Sequence, residues 1–351
     1  MFDNVQISGF RSIKKSEIEH LNRMNFFIGP NNCGKSSFLE AIYLLSSPLN
    51  IQAFFTILGT RSNGFRLSQK SFVSDASWLF FKKELSNKIN ISCLIEKNKY
   101  SVSMQLKDFR QNTQGKMSFT VAQNIEIGKL TLTFTDQTKN IPRSADFSFT
   151  NAPGWAIPVS QFPPLQPAGF INPHWHSDQM VGVNEFSYAL KNNFTSNCIE
   201  LIREFDPQIK DIKIILDDDG IAELYIDSTD LGLYPITLIG DGYKRLFLSS
   251  IMMAQVQNGC LLIDEFDSGI HYKALKRYIE WLLSTAEKYN IQLFLSTHSF
   301  DVLSVIADLD EMKLGLINLY RIKQELDHTD LQCIPGISVR NSINELGVDL
   351  R

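Results

Sequence analysis

Residues 29–37, Gly29-Pro30-Asn31-Asn32-Cys33-Gly34-Lys35-Ser36-Ser37, satisfy the spacing G-x-x-x-x-G-K-[ST]. No other stretch limits the fold as much, because the pattern works only where a buried strand ends and a helix begins. Both flanks comply. Residues 24–28 (MNFFI) read as a buried strand, and residues 35–46 as a helix that ends before Pro48. The glycines let backbone N–H groups curl around phosphate oxygens with no Cβ in the way, and the helix start adds partial positive charge. Gly29, Asn31, Asn32, Cys33, Gly34, Lys35, Ser36 and Ser37 are therefore candidate nucleotide-binding residues. Lys35 can reach the β- and γ-phosphates of ATP, and the Ser36 hydroxyl can ligate Mg²⁺. Without a nucleotide, Lys35 is expected to face solvent.

Past residue 237 the chain alternates in the α/β manner: helix 241–256, strand 260–263, helix 271–288, strand 291–296, helix 299–308, strand 315–322. The apolar run Cys260-Leu261-Leu262-Ile263 ends in Asp264-Glu265. A carboxylate at the C-terminal end of a parallel strand faces the nucleotide crevice. Asp264 would hold Mg²⁺, directly or through water, and Glu265 would polarise the attacking water. The run 291–296 is followed by Thr297-His298-Ser299, where His298 can donate to a γ-phosphate oxygen and orient water. Gly240-Asp241-Gly242 opens another helix, whose start can receive a phosphate from outside; ordinary capping by Asp241 is the plainer alternative.

The middle of the chain follows a different pattern. Segments in 89–150 alternate in the strand manner, which suggests a β-rich insertion. Residues 151–174 hold six prolines and should be irregular or extended. Residues 184–206 read as a helix, and a hairpin follows that turns at Asp219-Gly220. At roughly 150 residues per domain, 351 residues fit two domains or one large domain with an insertion. We divide the chain into an N-terminal half of the head (1–50), an inserted β-rich and helical region (51–235) and a C-terminal half of the head (236–351).

Charge and cysteine usage narrow the setting. A formal net charge of -4 excludes binding to nucleic acid by global charge, so any such contact needs a local patch or a partner. The five cysteines form no C-x-x-C pair, as expected of reduced thiols in a cytosol. There is no signal-peptide pattern and no run near the ~18 apolar residues of a membrane span. The expectation is a soluble cytoplasmic protein with no membrane contact. His174-Trp175-His176 lacks an acidic or cysteine partner and reads as loop packing rather than a metal pair. Asp217-Asp218-Asp219-Gly220 lacks the spacing of a Ca²⁺ loop and reads as a turn. Lys273, Lys276 and Arg277 share one helix and could touch DNA or a partner, although a solvated face is the plainer reading.

Together these pieces resemble the ABC-type ATPases of the SMC/RecF superfamily, and within it the ATPase domain of the OLD (overcoming lysogenisation defect) family. GPNNCGKSS stands as its Walker A, LLIDEFDSGIH as its Walker B, STHS as its switch-histidine motif, and ISGFRSI as its first strand. The resemblance covers about 1–46 and 236–351. It implies an ABC-type P-loop ATPase head with an inserted β-rich lobe and helical arm. It also implies that Arg11 approaches the nucleotide and that His271 takes the D-loop position. IGDGYKR stands at the signature without the usual serine-glycine-glycine. The Q-loop glutamine is left open between Gln52 and Gln69. The implied cofactors are ATP and Mg²⁺, and the implied partner is a second copy in an ATP-sandwiched dimer or higher oligomer. The implied role is a sensor or regulator in bacterial anti-phage defence, with a separately encoded effector such as a nuclease and none fused. A RecF-like repair ATPase acting on DNA, or a non-hydrolysing scaffold, are the alternatives.

Overall fold

The computed structural model describes residues 1–59, 69–109, 126–139, 141–150, 162–173, 182–217, 219–324 and 328–343. The chain opens with strands β1 (Asn4–Phe10), β2 (Ile13–Ile18) and β3 (Met24–Ile28), then helices α1 (Lys35–Ser46), α2 (Ile51–Gly59) and α3 (Gln69–Ser77). Strands β4 (Ile89–Ile95), β5 (Asn98–Asp108), β6 (Glu126–Asp136), β7 (Ile141–Thr150) and β8 (Ala168–Ile171) follow. Next come α4 (Val183–Lys191), α5 (Thr195–Phe205), β9 (Ile209–Leu216), β10 (Ala222–Ser228) and β11 (Gly232–Pro235). The C-terminal part alternates α6 (Asp241–Gln255), β12 (Cys260–Ile263), α7 (Tyr272–Lys288), β13 (Gln292–Thr297), α8 (Phe300–Ala307), α9 (Glu311–Leu314), β14 (Ile317–Gln324) and β15 (Thr329–Pro335).

Three sheets result, with orders β15-β14-β3-β13-β12-β8, β2-β1-β4-β5-β6-β7 and β11-β10-β9. The first is parallel apart from β15. Its central strands are buried along their whole length, because a parallel sheet is covered on both faces. Alternate residues serve two cores: Met24, Phe26, Leu261, Ile263, Leu293 and Leu295 face one, while Phe27, Cys260, Leu262 and Phe294 face the other. Helices α4 to α8 contribute to the first core. The second holds Phe38, Leu39, Ala41, Ile42 and Leu45 of α1 together with Val5 and Ile7 of β1. Thus α1 lies between the parallel sheet and the antiparallel one.

The antiparallel sheet shows the opposite pattern. Ile89, Ile91 and Cys93 face inward from β4, and Val102, Met104 and Leu106 from β5, with more exposed residues between them. Its composition departs from the boundaries drawn on the sequence. β1 and β2 belong to it, since Ile7 pairs with Ile91, and β8 belongs to the parallel sheet. The sheets therefore do not divide at residues 50 and 235. Two further readings change. The single helix over 184–206 is two helices, broken where Asn193 takes a left-handed φ of 54, a conformation asparagine tolerates at helix ends. The proline-rich stretch contains β8, whose Gly169 packs so closely on α6 that a Cβ there would stand 2.7 Å from the Met252 Cε and displace that side chain. The hairpin of β9 and β10 turns at Gly220 (φ 77), as expected.

Candidate functional site

Lys35 opens α1, and the loop before it wraps through three left-handed residues, Gly29 (φ 148), Asn32 (φ 64) and Gly34 (φ 102). A Cβ on Gly29 would meet the Cys33 Sγ at 2.9 Å and the Ile322 carbonyl at 3.3 Å, so only glycine fits. Lys35 is 8% exposed and does not face solvent. Its Nζ donates to the carbonyls of Gly29 and Pro30, both at 2.8 Å. The loop turns these oxygens inward, and the ammonium takes them as partners. Cys33 is buried beneath the loop, and burial raises its thiol pKa.

The acidic end is built across two strands. β12 runs parallel to β13, and Asp264 follows its last residue. The Ser296 hydroxyl of β13 donates to the Asp264 Oδ1 and accepts from the Glu265 N–H at 2.8 Å. It thereby fixes both carboxylate-bearing residues. Glu265 holds a left-handed φ of 49, a costly conformation for a non-glycine residue. From below, Arg245 of α6 donates to the Asp264 carbonyl. This guanidinium is 1% exposed. Burial lowers its pKa, opposed by Tyr278 and then by Asp267, Asp264 and Glu265.

These pieces meet in one cavity of about 570 Å³. Arg11, Asn31, Asn32, Gly34, Lys35, Ser36, Ser37, Asp264 and Glu265 line it. Arg11 sits in the β1–β2 turn at a left-handed φ of 50. Its Nη2 reaches the Glu40 Oε1 of α1 at 3.1 Å, within a buried ion pair. The Ser36 hydroxyl and the Asp264 carboxylate are hard oxygen donors, which suits Mg²⁺. Among the described residues no group of three or more His, Cys, Asp or Glu could cage a metal. The ion would arrive with the phosphates, as Mg²⁺ ordinarily does.

A family profile described as "AAA domain, putative AbiEii toxin, Type IV TA system" matches residues 24–304, from β3 into α8. The chain belongs to that family. This AAA domain is 22% identical over 340 residues to an ATP/GTP phosphatase of Helicobacter pylori (strain ATCC 700392 / 26695), covering 87% of each chain. It is also 28% identical over 113 residues to the DNA replication and repair protein RecF of Francisella tularensis subsp. novicida (strain U112). That match spans 31% of this chain and 28% of RecF. Two solved structures share the fold. One is an SmcHead bound to the C-winged helix domain of ScpA (TM-score 0.53, 12% identity, covering 97% of this chain and 99% of that one). The other is an Smc head domain with an extended coiled coil bound to the C-terminal domain of ScpA, from Pyrococcus furiosus (TM-score 0.54, 10% identity, covering 98% and 99%). The expected α/β architecture of an ABC-type head is therefore the observed one.

The remaining predicted residues lie outside the lining of the AAA domain's cavity. Gly29 and Cys33 support the loop from behind. His298 follows β13 and is exposed. Gly240 caps α6, receiving the N–H groups of Tyr243 and Lys244 at 3.0 and 3.2 Å. Asp241 is the first helical residue, not the cap, and pairs with Lys244 at 3.2 Å. Gly242 lies so close to the loop after Glu265 that a Cβ would stand 2.4 Å from the Gly269 carbonyl. His271 caps α7, its Nδ1 accepting from the Lys273 N–H at 3.3 Å. Lys276 and Arg277 donate to the carbonyls of Asp308 and Glu204. Gln52 is exposed on α2 and does not line the cavity. Asn172 follows Ile171, whose carbonyl accepts the Asp264 N–H at 2.9 Å. His174-Trp175-His176 and Asp218 lie outside the described residues. No helix among the described residues is long and apolar enough to cross a membrane.

Ser296 and Arg245 lie within the STHS and IGDGYKR motifs, but sequence reasoning gave neither a role of its own. It missed Trp78, Phe80, Lys82 and Lys83, which line the cavity and carry no motif.

Proposed function

We propose that this AAA domain hydrolyses ATP to ADP and phosphate and uses the cycle to regulate a partner protein in the cytoplasm. The observation that carries this reading is the meeting of Lys35, Ser36, Asp264 and Glu265 in one cavity. Lys35 exchanges the Gly29 and Pro30 carbonyls for phosphate oxygens. Ser36 and Asp264 would hold Mg²⁺, which when bound neutralises charge on the phosphates. Glu265, held by Ser296, accepts the proton of the attacking water, and His298 orients that water from the next strand end. Arg11 approaches the nucleotide from the β1–β2 turn. Catalysis is then positional and electrostatic.

The helix start is exposed at Gly240 and Asp241 and does not line its own cavity, which supports a dimer or higher oligomer in which one copy's helix start completes another's site. The OLD-like motifs support a sensor or regulator in anti-phage defence, acting with a separately encoded effector such as a nuclease. The local similarity to RecF favours a second reading, a repair ATPase acting directly on DNA. ATP turnover by the full chain, with and without duplex DNA, separates them. Turnover indifferent to DNA supports the regulator, and strong stimulation supports the RecF-like reading. No turnover in either condition, with ATP still bound, would leave a non-hydrolysing scaffold.

A further inference from the structure

One wall of the nucleotide cavity has chemistry that phosphate transfer does not use. Trp78 lines the cavity and is 59% exposed. The Lys83 Nζ stands 3.1 Å from its ring centroid, a cation–π contact. Lys82 and Lys83 also line the cavity. Both hold left-handed φ, 52 and 59. Such conformations cost non-glycine residues free energy and persist where the surroundings over-determine them. Here the surroundings tie the wall to the phosphate loop. Phe80 bridges Phe10, the Arg11 N–H donates to the Leu79 carbonyl at 2.7 Å, and the Arg11 side chain pairs with Glu40 on the helix that begins at Lys35. An accessible aromatic plane is thus held at a set position relative to the residues that receive phosphate.

We infer that Trp78 is the base platform of the site, stacking on the purine of a nucleoside triphosphate, with Lys82 and Lys83 flanking the sugar-phosphate. This rests on the ATP reading above and adds what recognises the base. A stacking platform reads a π-face, which every base presents. The lining residues that belong to this wall, Arg11, Ser12, Phe80, Lys82 and Lys83, supply donors and one hydroxyl, whereas the cavity's amides and carboxylates, Asn31, Asn32, Asp264 and Glu265, belong to the phosphate loop and the end of β12. Adenine differs from guanine in offering an N6 donor where guanine has the O6 acceptor. Without a side chain committed to accepting from N6, the wall has little means of rejecting guanine. The site therefore takes ATP and GTP with affinities within about tenfold, the scale of one neutral hydrogen bond.

The test is calorimetry on the full chain with Mg·ATP, Mg·GTP and inorganic tripolyphosphate, for the wild type, Trp78→Ala, Trp78→Phe and Lys35→Ala. Loss of base stacking should weaken both nucleotides by about 5- to 150-fold. Tripolyphosphate binding should be unchanged, and Trp78→Phe should recover most of the loss. Wild-type ATP affinity in Trp78→Ala overturns the proposal, as does an equal loss for tripolyphosphate. A wild-type preference for ATP beyond roughly 100-fold also overturns it, because stacking alone does not discriminate so far. Wild-type ATP affinity in Lys35→Ala is a different failure: it removes the phosphate loop, and with it the ATP reading itself.

Discussion

The phosphate wall of the cavity grows from the parallel sheet, while the aromatic wall grows from turns beside the antiparallel lobe. Lys35 heads the helix that follows β3, and Asp264 and Ser296 sit at the ends of β12 and β13; the residues of these strands feed two cores at once, so neither core can shift without the other. Arg11, Lys82 and Lys83 sit instead on turns at left-handed φ, tied down by single bridges and one ion pair. On the proposed reading, chemistry falls to the wall built on the two cores and recognition to the wall held by local ties. Substitutions on the first wall should abolish function and spare the fold, and those on the second should grade it.

The largest effect is expected from Lys35→Ala. ATP binding should fall below calorimetric detection while the melting temperature stays near wild type, because solvent can replace the ammonium at two loop carbonyls. Next, Glu265→Gln should bind ATP but turn it over about 10²–10⁴-fold more slowly, the usual weight of a general base. Unchanged single-turnover rates in that variant would remove Glu265 as the base. The link between the two walls is broken by Arg11→Ala, which removes one member of the buried ion pair with Glu40 on α1. Urea titration should show a loss of ~3 kcal/mol, the low end for removing one member of a buried ion pair. A smaller effect, about 1–3 kcal/mol, is expected from Gly242→Ala, whose methyl meets backbone that has no flexible end to yield. Gly240→Glu is the cleaner probe of assembly, since the nearest heavy atom to a Cβ there is 4.0 Å away. It should melt like wild type yet block ATP-dependent oligomers in light scattering. An assembly state indifferent to both ATP and Gly240→Glu would end the sandwich model and leave the nucleotide cavity standing.

Legibility followed the same division. The helix from Lys35 to Ser46 and the strand from Cys260 to Ile263 lie where the sequence places them, because each is a contiguous pattern with its own start and stop. The pose of Lys35 was not legible, since it depends on carbonyls that a glycine turns inward. β8 was hidden because four residues among prolines carry too little periodicity, and its partner β12 is ninety residues away. Trp78, Lys82 and Lys83 were invisible for a further reason. Lysines at left-handed φ follow from tertiary anchoring at Arg11 and Phe80, and no local preference announces it.

In the sheet order, β13 stands between the strand that leads into the phosphate loop and the strand that ends at the carboxylates. Adjacent strands lie about 4.8 Å apart, so the two are separated by roughly 10 Å. Backbone hydrogen bonding sets that gap; the loops do not. On the proposed reading it would act as a ruler that admits a terminal phosphate, a cation and a water side by side. Lengthening either loop would leave the measure unchanged. Displacing β13 would alter it, and with it the distance over which a proton must pass.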